Sequence, residues 1–400
     1  MLELEEAIVK ILALTPKATS ELVTLPNAHR RALSKSIYAD IDLPPFDNSA
    51  MDGYAVRASD VQLTRADLPV CLKLCGRISA GENSSNIVEP GVCVRVFTGS
   101  ILPVGADAVV MQEDTLEAQP GEILVKEPVK PWENVRFRGE DVKRGSLLAE
   151  SGEILGPGKL SLLAATGISQ VQVGRQPRVA LLATGSELRE PGSALAHGQI
   201  YESNRTGLAA LLHDIGVSPS ILPLVADTRE GVRLALENAF NESDAVISSG
   251  GVSVGEMDFI KIALKDLGGQ VEFWRVAVKP GRPFVFGNCR NKLFFGLPGN
   301  PVSAFLTFLL LVRPALLRWQ GAMDVSLPAY PGVLRERLAN PGHRRHFMRV
   351  KMDQNGHVLS AGNQASHMLS SLGAANGVVD VPPEAALEAG TRVPVLLWER

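Results

Sequence analysis

The chain has 400 residues, of which 45% are hydrophobic and 21% are charged, with a formal net charge of −3. This composition is typical of a soluble globular protein and excludes a disordered or strongly basic chain, so it predicts no nucleic-acid binding. The length predicts about two to four domains. The N-terminus lacks a basic segment and a small-residue cleavage site, so we expect no signal peptide and a cytoplasmic location.

The first 42 residues and residues 144–176 are predicted to form an N-terminal helical and extended domain. Hydrophobic residues at helical spacing predict a pair of helices within the first 40 residues, namely Leu4, Ile8, Ile11 and Leu12 on one stripe and Ala32, Leu33 and Ile37 on the other. The segment from Leu155 to Val173 has a helical and then an extended pattern. It can rejoin the N-terminal helices, which would make the intervening domain an insertion.

Residues 43–143 are predicted to form this inserted β domain, because short β-rich runs alternate with Gly and Pro turns. Examples are residues 92–96, 108–111 and 123–125. The cysteines, Cys71, Cys75, Cys93 and Cys289, contain no CxxC pair, and Cys71 and Cys75 have the spacing of one strand face. We predict a buried structural role for all of them.

Residues 177–318 carry the pattern of an α/β domain, a doubly wound and mostly parallel sheet covered by helices. The predicted strands are residues 179–183, 220–225, 245–248, 271–277 and 293–296. Asn204, Asp227 with Glu230, and Asn300 before Pro301 are predicted helix starts, and Gly268 a helix stop. The apolar run 302–312 is too short to cross a bilayer and predicts a buried helix. Residues 319–400 are predicted to form a small C-terminal β domain.

Ligands of open α/β sheets bind outside the carboxyl ends of the strands, and this rule selects loops at residues 184–187, 226–228, 249–258 and 297–301. The third loop has the composition of a phosphate cradle, since glycines let the backbone approach an anion and serines donate hydrogen bonds. Its candidate residues are Ser249, Gly250, Gly251, Ser253 and Gly255. The alternative is a tight turn between strand and helix.

Carboxylates in these loops, Glu187, Asp227 and Asp258, are candidate ligands of Mg²⁺, which prefers oxygen donors and often bridges a carboxylate to a substrate phosphate. Two of them have a plainer interpretation. Asp227 can be a helix cap, and Asp258 can compensate a helix dipole. Basic residues near a strand exit, Arg275 and Lys279, fit phosphate or an oxyanion, with surface solvation as the alternative.

Several motifs together resemble the molybdopterin molybdenumtransferase family, which comprises the bacterial MoeA proteins and the related gephyrin E domain. The match spans almost the whole chain. The motifs are residues 47–55 (DNSAMDGYA), 97–99 (FTG), 138–141 (RGED), 248–255 (SSGGVSVG), 279–281 (KPG) and 296–303 (GLPGNPVS).

The resemblance implies a homodimer whose active site lies between the α/β domain of one subunit and the β domain of the other. It implies that adenylylated molybdopterin and molybdate react with Mg²⁺ and that AMP is released. Asp52, Thr98 and Asp141 would come from the partner subunit. The implied residues of the other subunit are Glu187, Asp227, Asp258, Arg275, Lys279, Pro298, Gly299, Asn300, Pro301 and, in the C-terminal domain, Arg349 and Ser370. Arg275 stands where many relatives have lysine, which leaves the anion geometry there open.

Two alternatives compete with this interpretation. A related adenylyltransferase would share only the α/β domain, so the β insertion and the C-terminal domain argue against it, although contact with that enzyme is expected. A non-enzymatic scaffold would bind a partner peptide, but binding alone would not require the acids of the strand-end loops. No membrane association is expected.

Overall fold

The structure is a computed structural model that describes residues 1–83, 85–251 and 259–399. The chain forms two compact units. The main unit comprises Met1–Lys35, Ser151–Gly156 and Gln170–Arg400, and the inserted unit comprises Ser36–Glu150 and Pro157–Ser169. The chain returns to the main unit after the insertion, because strand Gln170–Gly174 pairs antiparallel with strand Ser20–Thr24.

The main unit contains the predicted doubly wound sheet, with six strands. Their spatial order is Ser220–Ile221, Val179–Ala183, Ala245–Ser249, Lys292–Leu297, Val285–Cys289 and Gln270–Phe273. The first four are parallel, and at the other edge Val285–Cys289 pairs antiparallel with both of its neighbours. Every residue of the two strands Val179–Ala183 and Ala245–Ser249 is buried, which explains their continuous apolar sequences.

Helices cover both faces of this sheet. They are Leu4–Leu14, Asn204–Asp214, Arg229–Glu242, Phe259–Asp266, Pro301–Thr307 and Arg313–Trp319, with a π-helical turn at Phe308–Val312. Phe294 and Phe295 show the two layers, since Phe294 packs with Leu236 and Ile260 on one face and Phe295 packs in the other core. The predicted start at Asn300 and Pro301 is confirmed.

One predicted cap is wrong. The helix Arg229–Glu242 is capped by Thr228, whose side chain accepts a hydrogen bond from the Gly231 N–H. Thr228 is one residue closer to the helix than Asp227 and supplies the oxygen that a helix start needs. The Asp227 carboxylate is therefore not required for capping.

The apolar run 302–312 lies within the continuous helical segment Pro301–Trp319, which is long and apolar enough to span a membrane by composition alone. In this protein, however, 83% of its apolar window is buried. It packs in the same core as helix Leu4–Leu14. The predicted buried helix is confirmed.

The second predicted N-terminal helix is wrong. Residues Leu25–Ala28 form a short 3₁₀ turn, and Ala32 and Leu33 form bridges with Ile154 and Val173. Both side chains are buried by this pairing rather than by a helical stripe. Tertiary pairing has overridden a local spacing that also fits a helix.

The C-terminal part of the main unit is a β domain with a short helix, Leu369–Ala374. Its strands are Ala329–Leu334, Leu338–Asn340, Arg345–Met352, His357–Ser360, Gly377–Val381, Ala385–Leu387 and Arg392–Leu397. Strand Val278–Lys279 joins this sheet by pairing parallel with Arg345–Met352. The predicted strand 271–277 therefore ends early, at Phe273, and the chain enters a different sheet.

The inserted unit is built on a six-stranded sheet, as its β-rich sequence predicts. The strands, in spatial order, are Ala108–Met111, Gly53–Val56, Val92–Val96, Val70–Ile78, Glu122–Val125 and Thr115–Gln119. Two shorter ladders join Asn48–Ser49 to Val135–Arg136 and Ile37–Tyr38 to Leu147–Ala149. Helices Ala58–Val61 and Pro157–Ala165 complete the unit.

The cysteine prediction holds for only half of the set. Cys93 and Cys289 are buried, and burial raises the pKa of the Cys93 thiol to about 12. Cys71 and Cys75 share one face of strand Val70–Ile78, but that face is exposed. The strand buries Leu72 and Ile78 instead, so the even spacing was correct and the choice of face was wrong.

Candidate functional site

The strand-end loops selected from the sequence line one cavity of about 650 Å³ in the main unit. We call it the acidic cavity. Predicted site residues in its wall are Glu187, Asp227, Ser249, Gly250, Gly251, Pro298, Gly299, Asn300 and Pro301. The strand-end rule therefore selected loops that the fold brings together around one cavity.

Backbone contacts lock these loops together at the edge of the sheet. The Thr184 N–H donates to the Ser249 carbonyl at 3.0 Å, and the Gly250 N–H donates to the Leu297 carbonyl at 3.1 Å. Gly250 has a φ of +85°, and a Cβ atom there would lie 2.5 Å from the Thr184 carbonyl oxygen. Only glycine fits this close approach.

Two predicted metal ligands, Glu187 and Asp227, lie together in the cavity wall. Desolvation by the surrounding protein and, after it, the charge of Glu187 raise the pKa of Asp227. The two carboxylates are thus like charges in a partly desolvated wall, a condition that a bound cation would relieve. Among the described residues, no group of three or more His, Cys, Asp or Glu side chains could hold a metal. The predicted third ligand, Asp258, lies outside the described residues, as do Ser253 and Gly255.

Asn204 joins two walls of the acidic cavity, a role that the sequence did not reveal. Its Nδ2 donates to the Ser249 Oγ at 2.7 Å and to the Gly299 carbonyl at 2.8 Å. The sequence predicted Asn204 only as a helix start, and Ser203 in fact precedes that helix as its cap residue. Only the tertiary structure shows that the first turn of this helix faces both loops.

A segment that we call the flap, residues 185–202, forms another wall. Its strands Leu188–Arg189 and Ile200–Tyr201 pair in parallel, and the Ile200 N–H donates to the Glu187 carbonyl at 3.0 Å. Leu188, Ile200, Tyr201 and Glu202 all line the cavity. Glu187 is the one residue of this segment that the sequence predicts as a site residue, because the ladder is too short to leave a periodic pattern.

Arg205 anchors the flap to the helix behind it. The guanidinium is buried and donates to Glu202 Oε2 at 2.9 Å and to both carboxylate oxygens of Glu190 at 2.8 Å. It also donates to the Leu222 carbonyl at 2.6 Å. A buried guanidinium with this many acceptors fixes the geometry of its neighbours, so Arg205 holds the flap in place at Glu190 and at Glu202.

A second cavity of about 270 Å³ lies beside the first and shares Pro283, Pro298 and Asn300 with it. We call it the basic cavity, because Lys279, Arg282 and Arg344 line it. Its remaining lining residues are Pro280, Gly281, Ser303, Gln364, Ala365 and Ser366. Burial and then the charge of Arg282 lower the pKa of Arg344, so the cations here are partly desolvated and repel one another.

His346 lies next to this positive region, in the protein interior. It is 3% exposed, and in the described part of the chain neither ring nitrogen has a hydrogen-bond partner. Burial, followed by the charges of Lys279, Arg349 and Arg344, lowers its pKa to about 4. His346 lies directly opposite Lys279 in the strand pair. The histidine is therefore neutral at physiological pH, because protonation would add another buried cation.

In the part of the chain that the structure describes, Arg349 and Ser370 line neither cavity. Arg349 is fully buried, and burial lowers its pKa to about 10. It donates to Ser371 Oγ at 3.0 Å, to the Asn363 carbonyl at 2.7 Å and to the Ala365 carbonyl at 3.1 Å. These bonds hold the segment that supplies Gln364, Ala365 and Ser366 to the basic cavity. Ser370 is exposed, and it is its neighbour Ser371 that contacts the guanidinium.

Arg275 is also placed apart from the other predicted residues. It is half-buried and lines neither cavity in the described structure, while its carbonyl accepts a hydrogen bond from the Leu2 N–H at 3.1 Å. The strand on which it was expected to share a face with Lys279 ends at Phe273. The two cations consequently follow different backbone paths.

The inserted unit brings Asp52 and Thr98 together. Asp52 Oδ1 accepts hydrogen bonds from the backbone N–H and the hydroxyl of Thr98, both at 2.8 Å. These bonds, the backbone one first, lower the pKa of Asp52. Asp141 is exposed. Its N–H donates to the Leu43 carbonyl at 3.0 Å, so the Asp141 loop is hydrogen-bonded to the segment that precedes Asp52.

Comparison with known proteins places the chain in a family. Residues 2–167 match the MoeA N-terminal region, domains I and II; residues 180–318 match a probable molybdopterin binding domain; and residues 331–398 match the MoeA C-terminal region, domain IV. The chain belongs to the MoeA family. The curated relatives include a molybdopterin molybdenumtransferase of Haemophilus influenzae, 39% identical over 99% of this chain and 98% of the relative.

Other relatives agree. Molybdopterin molybdenumtransferase 2 of Mycobacterium tuberculosis is 37% identical over 94% of each chain. The crystal structure of the molybdopterin biosynthesis protein MoeA from Pyrococcus horikoshii covers 100% of both chains, with 31% identity and a TM-score of 0.82. The MoeA resemblance carried by the sequence motifs and the multidomain α/β fold are both confirmed.

Proposed function

We propose that this protein is a molybdopterin molybdenumtransferase that inserts molybdate into adenylylated molybdopterin and releases AMP. The observation that carries the proposal is the pairing of two cavities of opposite charge, one lined by Glu187 and Asp227 and the other by Lys279, Arg282 and Arg344. They share the wall formed by Pro283, Pro298 and Asn300. Two adjacent sites of this kind suit a reaction between a phosphate anhydride and an oxyanion, because one would hold a cation beside the phosphates and the other would hold the oxyanion.

The acidic cavity would hold the phosphate groups of the adenylylated substrate. Glu187 and Asp227 would bind Mg²⁺, whose fit is supported by the raised pKa of Asp227 beside Glu187. When bound, the ion would screen the negative charge of the phosphates. Ser249 and the backbone at Gly250 and Gly251 would position those phosphates, because these residues line the cavity and a glycine turn lets backbone N–H groups approach an anion.

The basic cavity would hold molybdate as the second substrate. Lys279, Arg282 and Arg344 supply positive charge that the described structure leaves largely without carboxylate partners, and Ser303, Gln364 and Ser366 supply polar groups. Charge-assisted hydrogen bonds from such cations are the usual means of holding an oxyanion. Arg349 would not touch the molybdate but would position the segment that carries Gln364 and Ser366.

The proposed enzyme is a cytoplasmic homodimer in which the partner subunit completes the site with its own Asp52, Thr98 and Asp141. Contact with the adenylyltransferase that supplies the substrate is part of this proposal. The ionised state of Asp52 supports the assignment, since Thr98 holds its carboxylate in place through two hydrogen bonds. A preorganised carboxylate of this kind can position a substrate without a change in its own protonation.

The test is to incubate the purified protein in two mixtures, one with ATP and molybdopterin and one with adenylylated molybdopterin, molybdate and Mg²⁺. AMP release and molybdenum cofactor are expected only in the second mixture. Formation of adenylylated molybdopterin in the first mixture, with no reaction in the second, would instead identify an adenylyltransferase.

A further inference from the structure

Three large side chains that line the acidic cavity have no role in the phosphate and metal binding proposed above. Ile200 is 55% exposed, Tyr201 is 47% exposed and Leu369 is 46% exposed, and all three line this cavity. Large apolar side chains that remain open to solvent and lie together in the wall of a binding cavity commonly mark a surface that a ligand covers.

Tyr201 is held in position by the protein itself. Its hydroxyl donates to the Ser193 carbonyl at 2.8 Å, which ties its polar end to the flap. Its backbone lies in the ladder with Arg189, and the adjacent Glu202 N–H donates to the Arg189 carbonyl at 2.9 Å. A tyrosine fixed in this way loses little conformational entropy when a ligand packs against its ring.

The flap also couples this ring to the acidic pair. Ile200, the neighbour of Tyr201, donates its N–H to the carbonyl of Glu187. Arg205 holds the same segment from behind through Glu190 and Glu202. If a ligand binds with its phosphates near Glu187, the flap backbone therefore holds the ring of Tyr201 at a set distance from those phosphates.

We propose that Tyr201, in a cavity wall that Ile200 and Leu369 also line, is the surface on which a flat aromatic ring system of the substrate stacks. This inference rests on the proposed function and makes it more specific. The ligand class is a planar heterocycle linked to phosphate, and the adenylylated substrate carries two, adenine and pterin. Both have the broad apolar faces and polar edges that suit an aromatic platform in an otherwise polar cavity.

The experiment measures equilibrium binding by calorimetry, without molybdate, of AMP, molybdopterin and ribose 5-phosphate to the full chain. Tyr201→Ala is expected to weaken AMP or molybdopterin binding about tenfold, the scale of one stacking contact, and to leave ribose 5-phosphate binding unchanged. Tyr201→Phe should stay close to wild type, because it keeps the ring. A loss for AMP alone assigns the surface to adenine, and a loss for molybdopterin alone assigns it to pterin.

Tyr38→Ala is the matched control, because Tyr38 is a tyrosine of similar exposure, 57%, in the inserted unit. It should change none of the affinities. If Tyr201→Ala binds both AMP and molybdopterin as tightly as wild type, the stacking surface is refuted. Failure of the proposed function would look different, because wild type would then release no AMP in the insertion assay while the ring-dependent loss of binding remained.

Discussion

The acidic and basic cavities carry opposite charges, but in each of them like charges lie together and are partly desolvated. In the acidic cavity, burial and Glu187 raise the pKa of Asp227, and in the basic one burial and Arg282 lower the pKa of Arg344. Each is a cluster of like charge in a partly desolvated wall, which costs free energy in the folded protein. Each would be stabilised by a ligand of opposite sign.

Structural ion pairs elsewhere in the main unit show the contrast. Asp244 accepts hydrogen bonds from Arg175 and from the backbone and guanidinium of Arg178, and its pKa is lowered. Arg345 is paired with Asp380 and Glu5. The protein compensates charges that serve the fold, whereas both cavities keep charge of one sign for a ligand to compensate.

The largest effect is expected from removing the charge of Asp227. Asp227→Asn should lower the rate of molybdenum insertion by roughly 10²–10³-fold, the scale of a lost electrostatic group in a catalytic site. The free protein should nevertheless become more stable at neutral pH, because the ionised carboxylate opposes folding. That gain should vanish as the pH falls below the ordinary value of 3.8.

The measurement is insertion activity, together with melting temperature with and without Mg²⁺. Mg²⁺ should raise the melting temperature of wild type more than that of the variant. Asp67→Asn, which changes an exposed aspartate of the inserted unit, serves as the control. An Asp227→Asn protein that is active, or that gains as much from Mg²⁺ as wild type does, would remove Asp227 from the site.

A second test probes the positive region through His346. Its folded-state pKa of about 4 lies below the usual 6.5, so stability is complete above pH 6.5 and is lost as the pH falls toward 4. Wild type should lose about 2 kcal/mol of unfolding free energy by pH 5 through this residue. His346→Leu should lose correspondingly less between pH 7.5 and 5 in urea denaturation. Parallel losses in the two proteins would show that His346 is not the acid-sensitive group.

The smallest effect is expected from removing one positive charge, that of Lys279, from the wall of the basic cavity. Lys279→Gln removes one cation of several, so the KM for molybdate should rise about tenfold, equivalent to about 1.4 kcal/mol. The affinity for AMP should remain unchanged, since the acidic cavity keeps all its groups. Lys351→Gln, an exposed lysine of the C-terminal β domain, is the control. An equal loss for both ligands would mean that the two cavities do not act separately.

The sequence alone determined which strand-end loops lie around the acidic cavity. Continuous apolar runs such as residues 179–183 and 245–248, followed by glycine and acid-rich loops, predict buried parallel strands with polar ends. The buried helix that begins at Pro301 was predicted for the same reason, because its apolar pattern and its start signal agree. These features depend on residues close together in the chain.

Tertiary structure decided what depends on distant contacts. Thr228 rather than Asp227 caps its helix, the sheet edge turns Cys71 and Cys75 outward, and the strand before Lys279 ends early because its continuation pairs with Arg345–Met352. Tyr201 faces the cavity only because Arg205 and a two-residue ladder hold the flap there. Such pairings join residues far apart in sequence, so local spacing and propensity do not specify them.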